Sequence, residues 1–365
     1  MEIHISRPQL TQALELLTRI STKHVTLPVL QCVLLEAKEN QLTLKATNLE
    51  LSIEIEIPCK TQEVGIVAIP AQIFLQSIQY GTEAEVSLRV EEGVLLIESN
   101  KTNTSIKSIP HDEFPTIHRL AGTPLILQRA LFSLGIKTVA FAASAASIRP
   151  ELGSVYIQQK KEHSLTFVCT DAFRLMEKTV AQKGVILEHG FLLPQKNAIE
   201  ISRLCDLLES DPELVVSENQ CGLAFINEGV YITSRLVSAS FPDYEQIIPK
   251  EYTTHVTVLK NDLLKAFKKT AVFLNKYQQV TVSVLEGNIT LSSQNNEVGH
   301  VTDSVKAVVT GDDLTLNFNQ QYLTDPFSHI SDESVVLHFA GIGRSVVISG
   351  VSDKNLRYLV MPMNR

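Results

Sequence analysis

The chain has no tryptophan, only four methionines and only five cysteines among its 365 residues. Cys32, Cys59, Cys169, Cys205 and Cys221 are odd in number, include no Cys-x-x-Cys pair and have no histidine at zinc-ligand spacing. A disulfide framework and a zinc finger are therefore excluded, and reduced, packed thiols are expected. No apolar run approaches the roughly 18 to 20 residues of a membrane-spanning helix. The N-terminus has no basic start followed by an apolar stretch, which makes a cytoplasmic location the expectation. Gly-x-x-x-x-Gly-Lys-Ser/Thr and His-Glu-x-x-His are both missing, and Gly341-Ile342-Gly343 lacks the third glycine of a dinucleotide turn. Cys169 closes the apolar run that begins at Leu165, a place where a thiol packs as a small hydrophobe. With no nucleophile and base in sight, no metal cluster and no nucleotide cradle, neither an enzyme nor a cofactor is expected.

What the chain does contain is repetition. Amphipathic helix signals open near Pro8, Leu127 and Lys260, and each is followed by alternating strand runs and a second, shorter helix. Ile109-Pro110 through Phe114-Pro115 and Ser238 through Phe241-Pro242 close the first two repeats, and Thr47-Asn48-Leu49 matches Thr170-Asp171-Ala172. A long, constant period means fused copies of one fold. The expected fold is α+β: three sheet-rich domains with two helices each, over residues 1–122, 123–251 and 252–365. The expected helix stripes are Leu10, Leu14, Leu17 and Ile20, then Leu131, Leu134, Val139 and Phe141, then Leu263, Leu264, Phe267, Val272 and Phe273. The second helices are expected from Pro70, over Asn197 to Leu208 and over Asn319 to Ile330.

The formal charge of −8 argues at first against a nucleic-acid partner. Its distribution argues for one. Residues 5–24 carry Arg7, Arg19 and Lys23 against Glu15, a net +2. Residues 127–149 carry Arg129, Lys137 and Arg149 with no acid, and residues 259–276 carry five lysines against Asp262, for +3 and +4. The three opening-helix windows thus hold +9 and everything else −17. Lysines on one helix usually just solvate it; the same bias on three corresponding helices points to a polyanion facing them.

Three segments carry a family resemblance: Thr170-Asp171-Ala172-Phe173-Arg174-Leu175, Phe241-Pro242-Asp243-Tyr244 with Pro249, and Tyr358-Leu359-Val360-Met361-Pro362-Met363. In order and spacing they resemble the signature segments of the bacterial DNA polymerase III β subunit, the sliding clamp family, and Thr26-Leu27-Pro28-Val29-Leu30 is similar to its early motif. The resemblance implies a chain that forms half of a ring, closed by a head-to-tail homodimer around duplex DNA without reading its sequence. The helices would line the hole, with Arg19, Lys23, Arg129, Lys137, Arg149, Lys265, Lys268 and Lys269 as the DNA-facing set. It also implies a pocket for short peptides of the polymerase III catalytic subunit, the clamp loader and other partners. Carried over by motif, that pocket consists of Leu152, Thr170, Ala172, Arg174, Leu175, Pro242 and Ile247, with Asn319, Tyr322, Ser345, Val360, Met361, Pro362 and Met363. Thr104 and Ile106 would meet Phe273 and Leu274 of the other subunit. The chain departs from the family pattern at Ala172-Phe173, at Gln246 where a basic residue is frequent, at His24 where arginine is common, and at the extra Asn364-Arg365. A ring-like peptide-binding scaffold that does not encircle DNA is the alternative, and the basic bias of the opening helices separates the two.

Overall fold

A computed structural model describes the chain except for residues 22–26, 99–102, 145–147 and 364–365. Lys23, His24, Thr26, Asn364 and Arg365 therefore lie outside the described residues. The chain packs as two compact units, one of Met1–Ser133, Gly184–Ile186 and Lys196–Ser238, the other of Leu134–Lys183, Leu187–Gln195 and Ala239–Arg365. Its helices are α1 (Arg7–Leu17), α2 (Ala71–Gln79), α3 (Arg129–Val139), α4 (Gln195–Leu207), α5 (Lys260–Thr270) and α6 (Gln320–Thr324). Among the described residues no helix is long and apolar enough to cross a membrane.

The first unit holds two antiparallel sheets. An eight-stranded sheet runs Leu125–Ile126, Glu213–Val216, Gln220–Phe225, Val230–Arg235, Leu51–Pro58, Gln41–Thr47, Cys32–Lys38, Gly65–Pro70, so that strands of the middle repeat continue those of the first. A five-stranded sheet ends at the edge strand Asn103–Lys107. Helix α1 buries Leu10, Leu14 and Leu17 of the expected stripe, and Ile20 is buried in the turn that follows, with Pro8 in the first turn of the helix where the missing N–H costs nothing. Each such side chain contributes about 1.5–3 kcal/mol on burial.

The second unit is built on one twelve-stranded sheet. Its order is Phe191–Pro194, Ser154–Gln158, Ser164–Thr170, Arg174–Ala181, Leu356–Val360, Val346–Gly350, Ser334–Phe339, Thr254–Leu259, Gly299–Gly311, Asn288–Asn295, Gln279–Leu285, Leu314–Asn319. The strand Gly299–Gly311 joins two parts of it. Its first half pairs with Asn288–Asn295 and its second half with Thr254–Leu259, so among the described residues each half has one partner strand.

Three helix expectations need correction. In α3 the buried stripe is Phe132, Ile136 and Val139, while Leu134 is exposed and Leu131 half-buried. The helix is turned by close packing at Gly135, where a Cβ would lie 2.4 Å from the ring of the buried Phe167. In α5 the stripe stops with the helix at Thr270, whose hydroxyl bonds Gln320 Oε1 at 2.7 Å, and Val272 faces solvent. The helix expected over Asn319 to Ile330 is α6 followed by a 3-10 turn at Asp325–Ser328, because Pro326 cannot continue the α-helical ladder.

Gly135 supplies a stability prediction. Helix propensity alone favours Gly135→Ala by about 1 kcal/mol, but the clash with Phe167 costs about 1–3 kcal/mol. Chemical denaturation should show Gly135→Ala less stable than the parent, and a gain would mean that Phe167 moves freely.

Candidate peptide groove and basic helices

The turn between the strands Ser164–Thr170 and Arg174–Ala181 is held by its own side chains. Asp171 Oδ1 accepts from the N–H of Phe173 (2.9 Å) and of Arg174 (3.0 Å). Thr170 Oγ1 donates to Arg174 O at 2.7 Å and accepts from Ala172 N at 3.2 Å. These bonds hold Ala172 at φ 76°, a left-handed conformation that an alanine seldom adopts unaided. The first repeat builds the same turn: Leu51 N donates to Asn48 Oδ1 at 2.7 Å, Leu49 N to Thr47 Oγ1 at 3.0 Å, and Leu49 has φ 75°. The recurring Thr-Asx-x triplet is therefore a recurring turn.

Arg174 ties this turn to the rest of its unit. Its Nε donates to Asp171 Oδ2 (2.9 Å), its Nη2 to Phe141 O (2.9 Å) and its Nη1 to Asp325. The guanidinium also lies 4.4 Å from the centre of the Tyr322 ring, a cation–π contact. Two carboxylates and a carbonyl engage all three nitrogens, so Arg174 acts here as a brace.

The opposite wall is the segment Phe241–Pro249. Tyr244 is buried among Val168, Leu175, Val347 and Leu359, and Phe241 stacks on Tyr156 at 4.7 Å. The Tyr244 hydroxyl donates to Glu177 Oε2 at 2.6 Å. Glu177 is itself buried and also receives Lys160 Nζ and Arg357 Nε, each at 2.8 Å. Burial works against its charge, but these three donors outweigh it and hold the carboxyl below the usual range. The same burial, with the carboxylate beside it, pushes the Tyr244 phenol far up, so it stays a donor.

Between the walls lies a groove of about 400 Å³. It gathers six of the residues named from sequence: Thr170, Ala172, Arg174, Ile247, Ser345 and Met361. Phe173, Gln246, Pro249, Gly343, Arg344 and Leu359 also line it and were not in that set. Period-two alternation could have found Leu359, which shares a face with Met361, whereas Val360 is on the other face and fully buried, and Leu175 is buried in the cluster around Tyr244. Tyr322 lies under Arg174, and Asn319 caps α6, accepting from Gln321 N at 2.9 Å. Leu152 is buried behind the turn Pro150–Gly153, Met363 N bonds Asn317 O at 2.8 Å, and Pro242 and Pro362 are half-buried outside the groove lining. The groove floor is apolar and its rim carries hydroxyls, an amide and arginine, which suits an extended peptide with apolar anchors.

The basic set falls into distinct environments. Arg19 is exposed just beyond α1, and Lys137 is exposed on α3. Arg129 is half-buried, with its Nη1 donating to Cys205 O and its N–H to Asp211. Arg149 pairs with Glu151 at 2.8 Å, Lys265 with Asp262 at 3.0 Å and Lys269 with Asp303 at 2.8 Å. Lys268 is exposed and makes no ion pair among the described residues. Exposed pairs of this kind contribute only about 0–1 kcal/mol, so these cations can exchange a carboxylate for a phosphate at little cost. Arg129, bonded inside its own unit, is not available in the same way.

Of the residues expected between subunits, Thr104 and Ile106 sit on the edge strand Asn103–Lys107, which among the described residues pairs on one side only. Phe273 and Leu274 are half-buried after α5, near the first half of Gly299–Gly311, and Asn295 Nδ2 donates to Leu274 O at 2.9 Å. Cys169 is fully buried and burial pushes its thiol pKa well up, so it is no nucleophile. Among the described residues no three His, Cys, Asp or Glu side chains converge on a metal position.

Comparison with known proteins agrees with this geometry. Residues 1–118, 126–243 and 245–364 match the models of the N-terminal, central and C-terminal domains of the DNA polymerase III beta subunit. Curated relatives include the beta sliding clamps of Pseudomonas aeruginosa, 28% identical over 369 residues, and Pseudomonas putida, 27% identical over 375 residues, both covering all of each chain. The crystal structure of the Pseudomonas aeruginosa DNA polymerase III subunit beta superposes with a TM-score of 0.94 at 25% identity over all of both chains. That of Thermotoga maritima superposes with a TM-score of 0.92 at 24% identity, over 100% of this chain and 99% of the other, which bears on the fold alone. With all three domain models matched in order along the chain, the protein belongs to the DNA polymerase III β subunit family, the bacterial DNA sliding clamps.

Proposed function

We propose that two copies of this chain join head to tail into a ring that encircles duplex DNA in the cytoplasm. The ring tethers the polymerase III catalytic subunit, and admits the clamp loader and other partners, through peptides bound in the groove. As a member of its family the chain is a non-catalytic processivity factor. Attachment is then topological: the polymerase stays on its template because a closed ring cannot leave sideways, and sliding demands that no single contact with DNA be strong. Weak, exchangeable lysine pairs on α5 suit that demand, since they attract phosphate without reading bases. The open edges at Asn103–Lys107 and at the first half of Gly299–Gly311 support the dimer, because unpaired strand edges seek a partner.

The observation that carries the proposal is the basic bias of the three opening helices in an otherwise acidic chain. Replacing Lys265, Lys268 and Lys269 together by glutamate should leave the sedimentation of the protein unchanged. It should also lower loading onto DNA about tenfold at low salt, with the difference shrinking as salt rises. Unchanged loading would leave a peptide-binding scaffold as the better account.

A further inference from the structure

The groove carries an uneven charge. Two of its lining residues are arginines and none is acidic. Arg174 is fully engaged by Asp171, Asp325 and Phe141 O. Arg344 is exposed in the turn between the strands Ser334–Phe339 and Val346–Gly350, and makes no ion pair among the described residues. The acids on the neighbouring segments all have partners already. Asp243 accepts from Gln246 Nε2 at 2.7 Å, and Glu245 takes Lys160 at 2.6 Å. Asp171 and Asp325 face Arg174. Arg344 thus offers an exposed guanidinium beside an apolar floor at the Ser345 end, where no acidic residue lines the groove. Gln246, on the opposite wall, adds no charge of its own.

We infer that Arg344 selects partners by charge, favouring peptides whose apolar anchors are flanked by an acidic side chain. This rests on the groove being the peptide site. Phe173 fits the same picture: it is 61% exposed at the rim and its N–H is fixed by Asp171, so its ring presents an apolar face beside the turn. A ligand carboxylate reaching Arg344 replaces water at an exposed guanidinium. Its effect is therefore a preference among peptides that already bind through their anchors.

The test is a fluorescence-anisotropy titration with synthetic, C-terminally amidated peptides carrying leucine and phenylalanine anchors and Glu, Gln or Lys beside them. A fourth peptide, the Gln version with a free C-terminus, separates a side-chain carboxylate from a terminal one. The parent protein should bind Glu about three- to fivefold more tightly than Gln, with Lys weakest. Arg344→Gln should flatten the series and Arg344→Glu should invert it, both leaving the melting temperature in place because the side chain is exposed. Equal binding of all three amidated peptides, an order unmoved by Arg344→Glu, or a preference shown only by the free C-terminus would overturn charge selection by Arg344 while leaving the groove intact. Failure of every peptide to bind would overturn the groove itself.

Discussion

Replacing Glu177 by alanine should destabilise the second unit by about 3 kcal/mol. The carboxylate is buried and accepts from Tyr244, Lys160 and Arg357, so its removal leaves the proton of a buried phenol without an acceptor and takes the carboxylate from Arg357, while Lys160 keeps Glu245. Breaking a buried pair by deleting one member costs about 3–5 kcal/mol. The lower figure applies because Arg357 is 45% exposed and can turn to water. Glu177→Gln, which keeps an acceptor for Tyr244, should cost less. Because the native state holds Glu177 below its ordinary pKa, the unfolded chain binds the proton more readily. The stability it contributes is fully present above the unfolded value near pH 4.3, and is lost as pH falls through the folded value. The stability of the parent against urea should therefore fall below about pH 4.3, and part of that slope should vanish in Glu177→Gln. A parent and variant with identical acid slopes would mean that Glu177 is not charged in the folded protein.

The second large effect is expected at Ile247, which is 51% exposed in the groove wall. Ile247→Asp should weaken binding of an apolar-anchored peptide about 10- to 100-fold, since it removes apolar contact and buries a carboxylate under the ligand. The folded protein should hardly notice, with a stability change within about 0.5 kcal/mol. Titration calorimetry beside thermal unfolding would check both halves. Unaltered peptide affinity would move the binding site elsewhere.

Local chemistry and periodicity made much of this legible in the sequence. The Thr-Asx-x triplets at Thr47 and Thr170 were visible because a side chain that bonds its own backbone needs no knowledge of the fold. The α1 stripe was visible because all its residues face one core. The expected α3 stripe shares only Val139 with the observed one, since the helix packs through Gly135 against the Phe167 ring, a contact between residues 32 apart in sequence. The expected α5 stripe runs past Thr270, where the α-helix gives way to a 3-10 turn at Ala271–Phe273 that leaves Val272 exposed. In the groove, six of the residues expected from the motifs and their surroundings come together, while Phe173, Pro249 and Leu359, inside the same motifs, are further lining residues. Arg344, Gly343 and Gln246 were not placed there, because a loop residue joins a pocket only through the way strands far apart in sequence come together. Likewise nothing in the order of residues showed that Glu177 would gather Tyr244, Lys160 and Arg357.

The central claim is that the protein holds DNA by enclosing it. The most direct measurement loads it with a clamp loader onto a nicked circular plasmid and follows co-sedimentation before and after the plasmid is cut once. A ring should remain with the closed circles at moderate salt and be lost once an end is available. Equal retention on circular and linear DNA, or retention on neither, would contradict topological attachment.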